Sequence, residues 1–387
     1  MDVVVTGIGL LSTLGELQTS WRGLLQGRSG IRLCQPFSNL SPRPLALIDR
    51  TPSHLNVLIE QVVSAALQDA SLSLPLPHCG VVIGSSRGYQ GDWEQVACQF
   101  YDRYQSNTKS PETVLNSTFL HRWADSLPHM GAIATARQIG STGPVLAPMA
   151  ACATGLWAMA QAFELIQTGQ CQQAIAGAAE APITPLTLAG FQQMGALAKT
   201  GSYPFDRDRE GLVLGEGAAV MVLESAAFAK HRGAPIYGRV LGFGMTADGY
   251  HVSAPAPNTK SAIAAVKQCL ASSKLPPEAI DYLHAHGTGT ILNDRNEANL
   301  IQTLFPAGPP ISSTKGATGH TLGASGALGA AFCLLALKHQ TLPPCVGLQQ
   351  PAFDLTLIRA SRPQMLKHVL CFSFGFGGQN AVMALGR

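Results

Sequence analysis

The sequence predicts an α/β fold built twice. Short apolar runs with strand character alternate with helical patterns, the two halves of the chain carry parallel series of such runs, and the last run of one half echoes the last of the other. The first series is Val3–Val5, Gly80–Ile83, Ala174–Gly177 and Ala218–Leu223. The second is Ile236–Gly242, Tyr282–His286, Pro310–Ser313, Val369–Phe374 and Ala381–Leu385. Gly217-Ala218-Ala219-Val220-Met221-Val222-Leu223 is echoed by Asn380-Ala381-Val382-Met383-Ala384-Leu385. The junction before Cys152 is likewise matched by the one before His320, each leading into a helix rich in Ala and Gly. The seam is expected near His231–Pro235, giving an N-terminal half (1–233) with the cysteine and a C-terminal half (234–387) with both histidines. A pseudo-twofold axis would then bring Cys152 and His320 together. Residues Pro36 to His54 read as irregular and surface-exposed.

Composition narrows the function. At 387 residues the chain can bury a large core, and it is 46% hydrophobic but only 13% charged. So charge-poor a surface predicts that part of it is covered by another subunit. A formal net charge of +3 with no basic cluster excludes nucleic acid as the expected partner. The apolar stretches Ala147–Phe163 and Gly323–Leu337 are interrupted by Thr, Ser and small residues, so they read as buried helices and no membrane span is expected. No basic-then-apolar leader pattern is expected at the start, and cytoplasmic localisation follows as the expectation. Nine cysteines without paired spacing point to a reducing compartment and to no metal framework. Eight of them (Cys34, Cys79, Cys98, Cys171, Cys269, Cys333, Cys345 and Cys371) read as filler.

The ninth, Cys152, stands in Ala150-Ala151-Cys152-Ala153-Thr154-Gly155, where the Pro/Gly-rich stretch Gly143 to Pro148 gives way to a helix over about Leu156 to Gln167. A thiol at a helix N-terminus feels the positive end of the macrodipole, which predicts a lowered pKa and a ready thiolate. Two further segments place a histidine at a strand end or helix start: Tyr282 through Thr290, with His286, and Ser312 through Gly323, with His320. Taken singly, each histidine could equally be structural. Together with Cys152 they form a Cys-His-His set drawn from three strand-to-helix junctions, where functional groups gather in open α/β sheets.

These segments resemble the elongating β-ketoacyl-acyl-carrier-protein synthases. The resemblance rests on Ala151–Gly155, His286-Gly287-Thr288-Gly289-Thr290 and Lys315 through His320, with Val3–Gly7, Pro204–Gly211, Gly215–Ala218 and Ser373–Gly378 in the same order. It implies a thiolase-like duplicated fold, a five-layered αβαβα sandwich with two packed sheets, working as a homodimer or as a heterodimer with a ketosynthase-like partner. It implies decarboxylative condensation of an acyl group on Cys152 with malonyl-acyl carrier protein, in fatty acid or polyketide-type elongation. No cofactor is expected, the phosphopantetheine arriving on the carrier protein. The tetrahedral intermediate needs two donors. The N–H of Cys152 can supply one, and the resemblance assigns the other to Phe376 between Gly375 and Gly377, with Phe376 also a gate. His286 and His320 would donate to the enolate oxygen as neutral imidazoles. Lys315 would bias the field there, with Glu297 as its ionic partner. Thr288, Thr290 and Ser253 would hydrogen-bond the pantetheine amides, Ser253 standing where the family usually has threonine.

The chain also departs from the family. Gly329 stands where a carboxylate is usual, nine residues after the second histidine, and the segment Leu197 to Tyr203 is short for the acyl-pocket loop. Both suggest a specialised synthase. Among rivals, Gly84-Ser85-Ser86-Arg87-Gly88 matches a serine-hydrolase elbow, but Tyr89-Gln90-Gly91-Asp92 begins no clean helix behind it. Gly7-Ile8-Gly9 is half of a dinucleotide loop, and a biosynthetic thiolase would carry a second cysteine in the Phe374–Gly378 turn. A non-condensing, chain-length-determining subunit is the alternative of a different class, but such relatives generally lose the cysteine.

Overall fold

In the computed structural model, which describes residues 1–105 and 123–387, both halves follow one plan. The strands are β1 (Val3–Ser12), β2 (Gly80–Gly84), β3 (Val145–Leu146), β4 (Gln173–Glu180) and β5 (Gly217–Ser225), then β6 (Gly238–Ala247), β7 (Tyr282–His284), β8 (Ile311–Ser312), β9 (His368–Gly375) and β10 (Gln379–Gly386). Their order across the sheet is β8-β7-β9-β10-β6-β1-β5-β4-β2-β3, with a short strand Gly15–Glu16 beside β1. In each half three parallel strands lie outermost and two antiparallel ones follow toward the middle. Each strand therefore has a counterpart five places on. The halves meet where Val3, Val4 and Val5 pair with Val240, Arg239 and Gly238.

The helices repeat as well. In the first half they are α1 (Leu55–Asp69), α2 (Met130–Ile139) and α3 (Thr154–Gln167); in the second, α4 (Lys260–Ser273), α5 (Ile291–Leu304) and α6 (Ser325–His339). Side-chain alternation sorts them into layers, because successive residues of a strand face opposite ways. On β5, Ala219, Met221 and Leu223 join the central core with α3 and α6. Ala218, Val220 and Val222 join an outer core with α1 and α2. On β10, Ala381, Met383 and Leu385 face the same central core, while Val382 and Ala384 face an outer core with α4 and α5. Helices, sheet, helices, sheet, helices make five layers. Strands covered on both faces must be apolar throughout, which is why they read as continuous runs. The stretch Leu322–His339 is long and apolar enough to cross a membrane, yet 89% of it is buried in the fold, as the central core helix.

Two expectations need correcting. A helix does follow the Gly84–Gly88 segment, spanning Gln90–Gln105. A hydrolase elbow is instead disfavoured by its serines: Ser85 Oγ donates to the buried carboxylate of Glu180 at 2.6 Å, and Ser86 Oγ accepts from Gly323 N at 3.3 Å, so neither hydroxyl is paired with a histidine. Within Pro36–His54, Leu45, Ala46 and Leu47 are buried and the backbone N–H of Ala46 bonds Leu214 O. This segment packs as a strap over the site region because Leu45 and Leu47 find apolar neighbours in Leu212, Leu214 and Ile183. Gly7 and Gly9 lie inside β1 and form no loop.

Candidate active site

Cys152 leaves the end of β3 on the way to α3, and His320 leaves β8 on the way to α6, so the two occupy matching places in the two halves. His286 follows β7. The three side chains meet, with one donor atom from each within 4.8 Å of the others. The imidazoles stand edge to face, with ring centroids 5.3 Å apart. All three are buried, Cys152 to 7% exposure and each histidine to 2%. Ala151, just before the nucleophile candidate, takes φ +47°, a left-handed conformation that costs an alanine about 1–2 kcal/mol. The strain is held by neighbours: Thr154 Oγ1 bonds both Ala150 N and Ala151 O, and Ser373 Oγ donates to Cys152 O at 2.8 Å.

The thiol does not titrate as the helix-dipole argument predicted. Burial pushes Cys152 up to about 11, against the lowering influence of Lys315 and of the Phe376 N–H that hydrogen-bonds the sulfur. Cys152 also precedes the first helical residue, Thr154, by two positions, and a desolvated thiolate costs more than the dipole returns. The backbone N–H of Phe376, which the resemblance makes an oxyanion donor, lies close enough to Cys152 to lower its thiol. An ideal Cβ on Gly375 would lie 2.9 Å from Cys152 N, and Gly377 takes φ +75°, so glycine at both positions lets the turn approach. The Phe376 ring stacks on Phe191 at 5.8 Å across the cavity.

The histidines are held neutral and oriented. Burial, then Lys315, pushes both His286 and His320 well below the ordinary imidazole range. Lys315 Nζ lies 3.4 Å from His286 Nδ1 and also donates to His286 O. His320 Nδ1 pairs with Ser325 Oγ at 2.9 Å. An ammonium can only donate, so His286 Nδ1 accepts and its proton resides on Nε2. The Ser325 hydroxyl can donate to His320 Nδ1, an arrangement that puts the His320 proton on Nε2 as well. A thiol and two imidazoles are also metal-ligand types, but the Lys315 ammonium beside His286 disfavours a second cation there.

Glu297 makes no direct ion-pair contact with Lys315, yet its charge is the strongest one acting on that lysine. It accepts from the backbone N–H of His286 at 2.6 Å and of Gly287 at 2.8 Å, holding the turn after β7, and is buried there. Among the described residues the ion pairs are Arg232–Glu224 and Arg239–Asp2, both elsewhere. Burial raises Glu297 and lowers Lys315, while their charges still act on one another.

A cavity of about 290 Å³ opens onto the sulfur and both rings, lined also by Ser253, Thr288 and Thr290. Thr288 Oγ1 bonds Thr290 Oγ1 at 2.9 Å, and Thr290 caps α5 by accepting from Asn293 N. Three residues went unsingled in the sequence. Ser325 orients His320 from within the Ala/Gly helix. Phe191 faces Phe376 from the far side of the cavity. Glu180, at the end of β4, accepts from Ser85 Oγ and from the backbone N–H of Ser86 and Arg87. No sequence spacing links these to the site; the tertiary fold does.

A buried thiol with a backbone donor on its sulfur, facing two neutral imidazoles on a twice-built α/β scaffold, defines a thiolase-like acyl-transfer site. Residues 35–229 match the beta-ketoacyl synthase N-terminal domain and residues 237–349 its C-terminal domain. The chain belongs to the β-ketoacyl synthase family. It is 35% identical to 3-oxoacyl-[acyl-carrier-protein] synthase 2 of Synechocystis sp., covering 99% of this chain and 97% of that protein. Among solved structures it is similar to a chain of a type II polyketide acyl-carrier protein in complex with its ketosynthase bound to the hexaketide (TM-score 0.92, 26% identity, 100% and 99% covered). It is also similar to the ishigamide ketosynthase/chain length factor (TM-score 0.90, 28% identity, 100% and 98% covered).

Proposed function

We infer that the protein is a β-ketoacyl-acyl-carrier-protein synthase that elongates an acyl chain by decarboxylative condensation. The observation that carries this reading is the meeting of Cys152 with His286 and His320 at one cavity. In the first step the Cys152 sulfur bonds the acyl carbonyl carbon, the carrier's sulfur leaves, and the thiol proton passes to it. The N–H groups of Cys152 and Phe376 receive the oxyanion, a reading supported by the influence of the Phe376 N–H on the thiol. In the second step the malonyl C–C bond breaks, CO2 leaves, and the electron pair collects on the thioester oxygen as an enolate. Two Nε2–H groups on uncharged imidazoles suit that oxygen, and their depressed pKa values keep them neutral near pH 7. The enolate carbon then bonds the acyl carbonyl carbon and Cys152 leaves as thiolate, stabilised by Lys315.

The donor is acyl carrier protein, whose phosphopantetheine enters past Ser253, Thr288 and Thr290. We assign the halves 1–233 and 234–387 as copies of one unit, and the working form as a dimer with a second ketosynthase-like chain. Exposed Leu146 and Met149, at and just after edge strand β3, support a covered interface there. The retained Cys152 speaks against a non-condensing chain-length subunit. Intact-mass measurement after incubation with acyl-carrier thioester tests the reading. An acyl adduct that disappears in Cys152→Ala is expected, and a wild-type protein that takes no acyl group would overturn it.

A further inference from the structure

The mechanism above leaves one buried imidazole unused. His284 is the last residue of β7, two before His286, and is 2% exposed. Its Nε2 lies 3.1 Å from Thr314 Oγ1, and its Nδ1 lies 3.8 Å from Cys371 Sγ on β9. Beneath it is α6 at Gly329, where an ideal Cβ would stand 2.8 Å from His284 Cε1 and 2.9 Å from both Nδ1 and Cys371 Sγ. The ring fits only because position 329 has no side chain. Four elements thus converge on one imidazole: β7, β9, α6 and the turn that carries Lys315.

We propose that His284 is a positioning residue, seated over Gly329, that holds the Thr314–Lys315 turn so that the Lys315 ammonium stays against His286 Nδ1. Thr314 is the pivot, since its carbonyl accepts from the backbone N–H of Ala317 and Thr318 and so closes the turn begun at Lys315. A hydroxyl donated to Nε2, with Nδ1–H directed at the Cys371 sulfur, satisfies every polar group in the cluster. Hydrogen bonds from Cys333 and His284 favour a lower pKa for the Cys371 thiol against the effect of its burial. Loosening the turn would let Lys315 drift from a 3.4 Å contact, release the His286 tautomer and weaken enolate stabilisation, with a smaller effect on Cys152, whose thiol Lys315 also lowers.

The inference rests on the roles given above to His286 and Lys315. Its test measures the half-reactions separately: CO2 release from malonyl-acyl carrier protein, and acylation of Cys152 by intact mass. In His284→Ala, decarboxylation kcat is expected to fall about tenfold with KM for the malonyl carrier unchanged and Cys152 acylation reduced less than about twofold. His284→Gln, which can still bond Thr314, should recover most of it. Gly329→Ala should reproduce the loss while His284 is present and add nothing in the His284→Ala background. Should His284→Ala fail to fold, the contrast between His284→Gln and Gly329→Ala carries the test. Wild-type decarboxylation in His284→Ala, or parallel loss of both half-reactions, overturns the proposal. Full decarboxylation in His286→Ala would instead sink the assignment of His286, and this inference with it.

Discussion

The junction from β3 into α3 and the junction from β8 into α6 are the same piece of backbone plan put to two uses. Both run from a two-residue parallel strand through a turn into a small-residue core helix, and neither helix has a side-chain cap. Both hold one non-glycine residue at positive φ, Ala151 before Cys152 and Leu322 after His320. The first junction presents a thiol whose sulfur receives the Phe376 N–H. The second presents an imidazole whose Nδ1 is tied by Ser325 and whose remaining nitrogen is free. The repeated plan thus supplies the geometry twice, and a handful of side chains divide the labour between a nucleophile and a hydrogen-bond donor.

The sharpest way to break that division is to cross it. His320→Ala is expected to cut decarboxylation of malonyl-acyl carrier protein by about 10²–10³-fold while Cys152 still takes up acyl groups. Cys152→Ala should show the reverse, with no adduct and decarboxylation retained. Both are read by CO2 release beside intact mass, and equal loss of both half-reactions in either variant would refute separate roles.

The next effect concerns charge. A thiol raised to about 11 is protonated below that pH, so its reactive fraction grows as pH rises toward it. Iodoacetamide labelling of Cys152 should therefore climb roughly tenfold per pH unit between pH 7 and 9, without a plateau near neutrality. Lys315 lowers this pKa, so Lys315→Met should move the titration further up and slow labelling at any fixed pH. A plateau below pH 8 would restore the helix-dipole argument.

A smaller loss is expected from Ser325→Ala, which frees His320 Nδ1 and lets the tautomer change: about five- to tenfold in decarboxylation, with acylation untouched. The smallest is Ser253→Ala, at the cavity wall, with KM for the carrier-bound substrate raised about three- to fivefold and kcat kept. Steady-state kinetics with carrier-bound and truncated pantetheine substrates distinguishes the two.

The architecture was legible because it is written in period and repetition. Apolar runs such as Gly217–Leu223 must be buried on both faces, and a second set at matching intervals implies a second layer of the same kind. Cys152, His286 and His320 stood out because each lies at a strand-to-helix junction. The thiol's titration was not legible, since it depends on how much water is removed around the sulfur, and only packing decides that. Nor was the place of Glu297: its spacing from His286 suits a partner for Lys315, yet its carboxylate turns to two backbone N–H groups. Ser325 and Phe191 carry no signal in a helix of small residues or beside an ordinary turn.

The chain by itself determined which elements form, that they form twice, and which nucleophile and imidazoles stand at the ends of strands, because local periodicity and residue chemistry suffice for that. Tertiary structure alone decided which nitrogen of each ring faces the sulfur's cavity, how costly the thiolate is, and that His284 fills the space over Gly329. Those are properties of contacts between segments far apart in sequence, where desolvation and hydrogen-bond geometry arise only once the layers close.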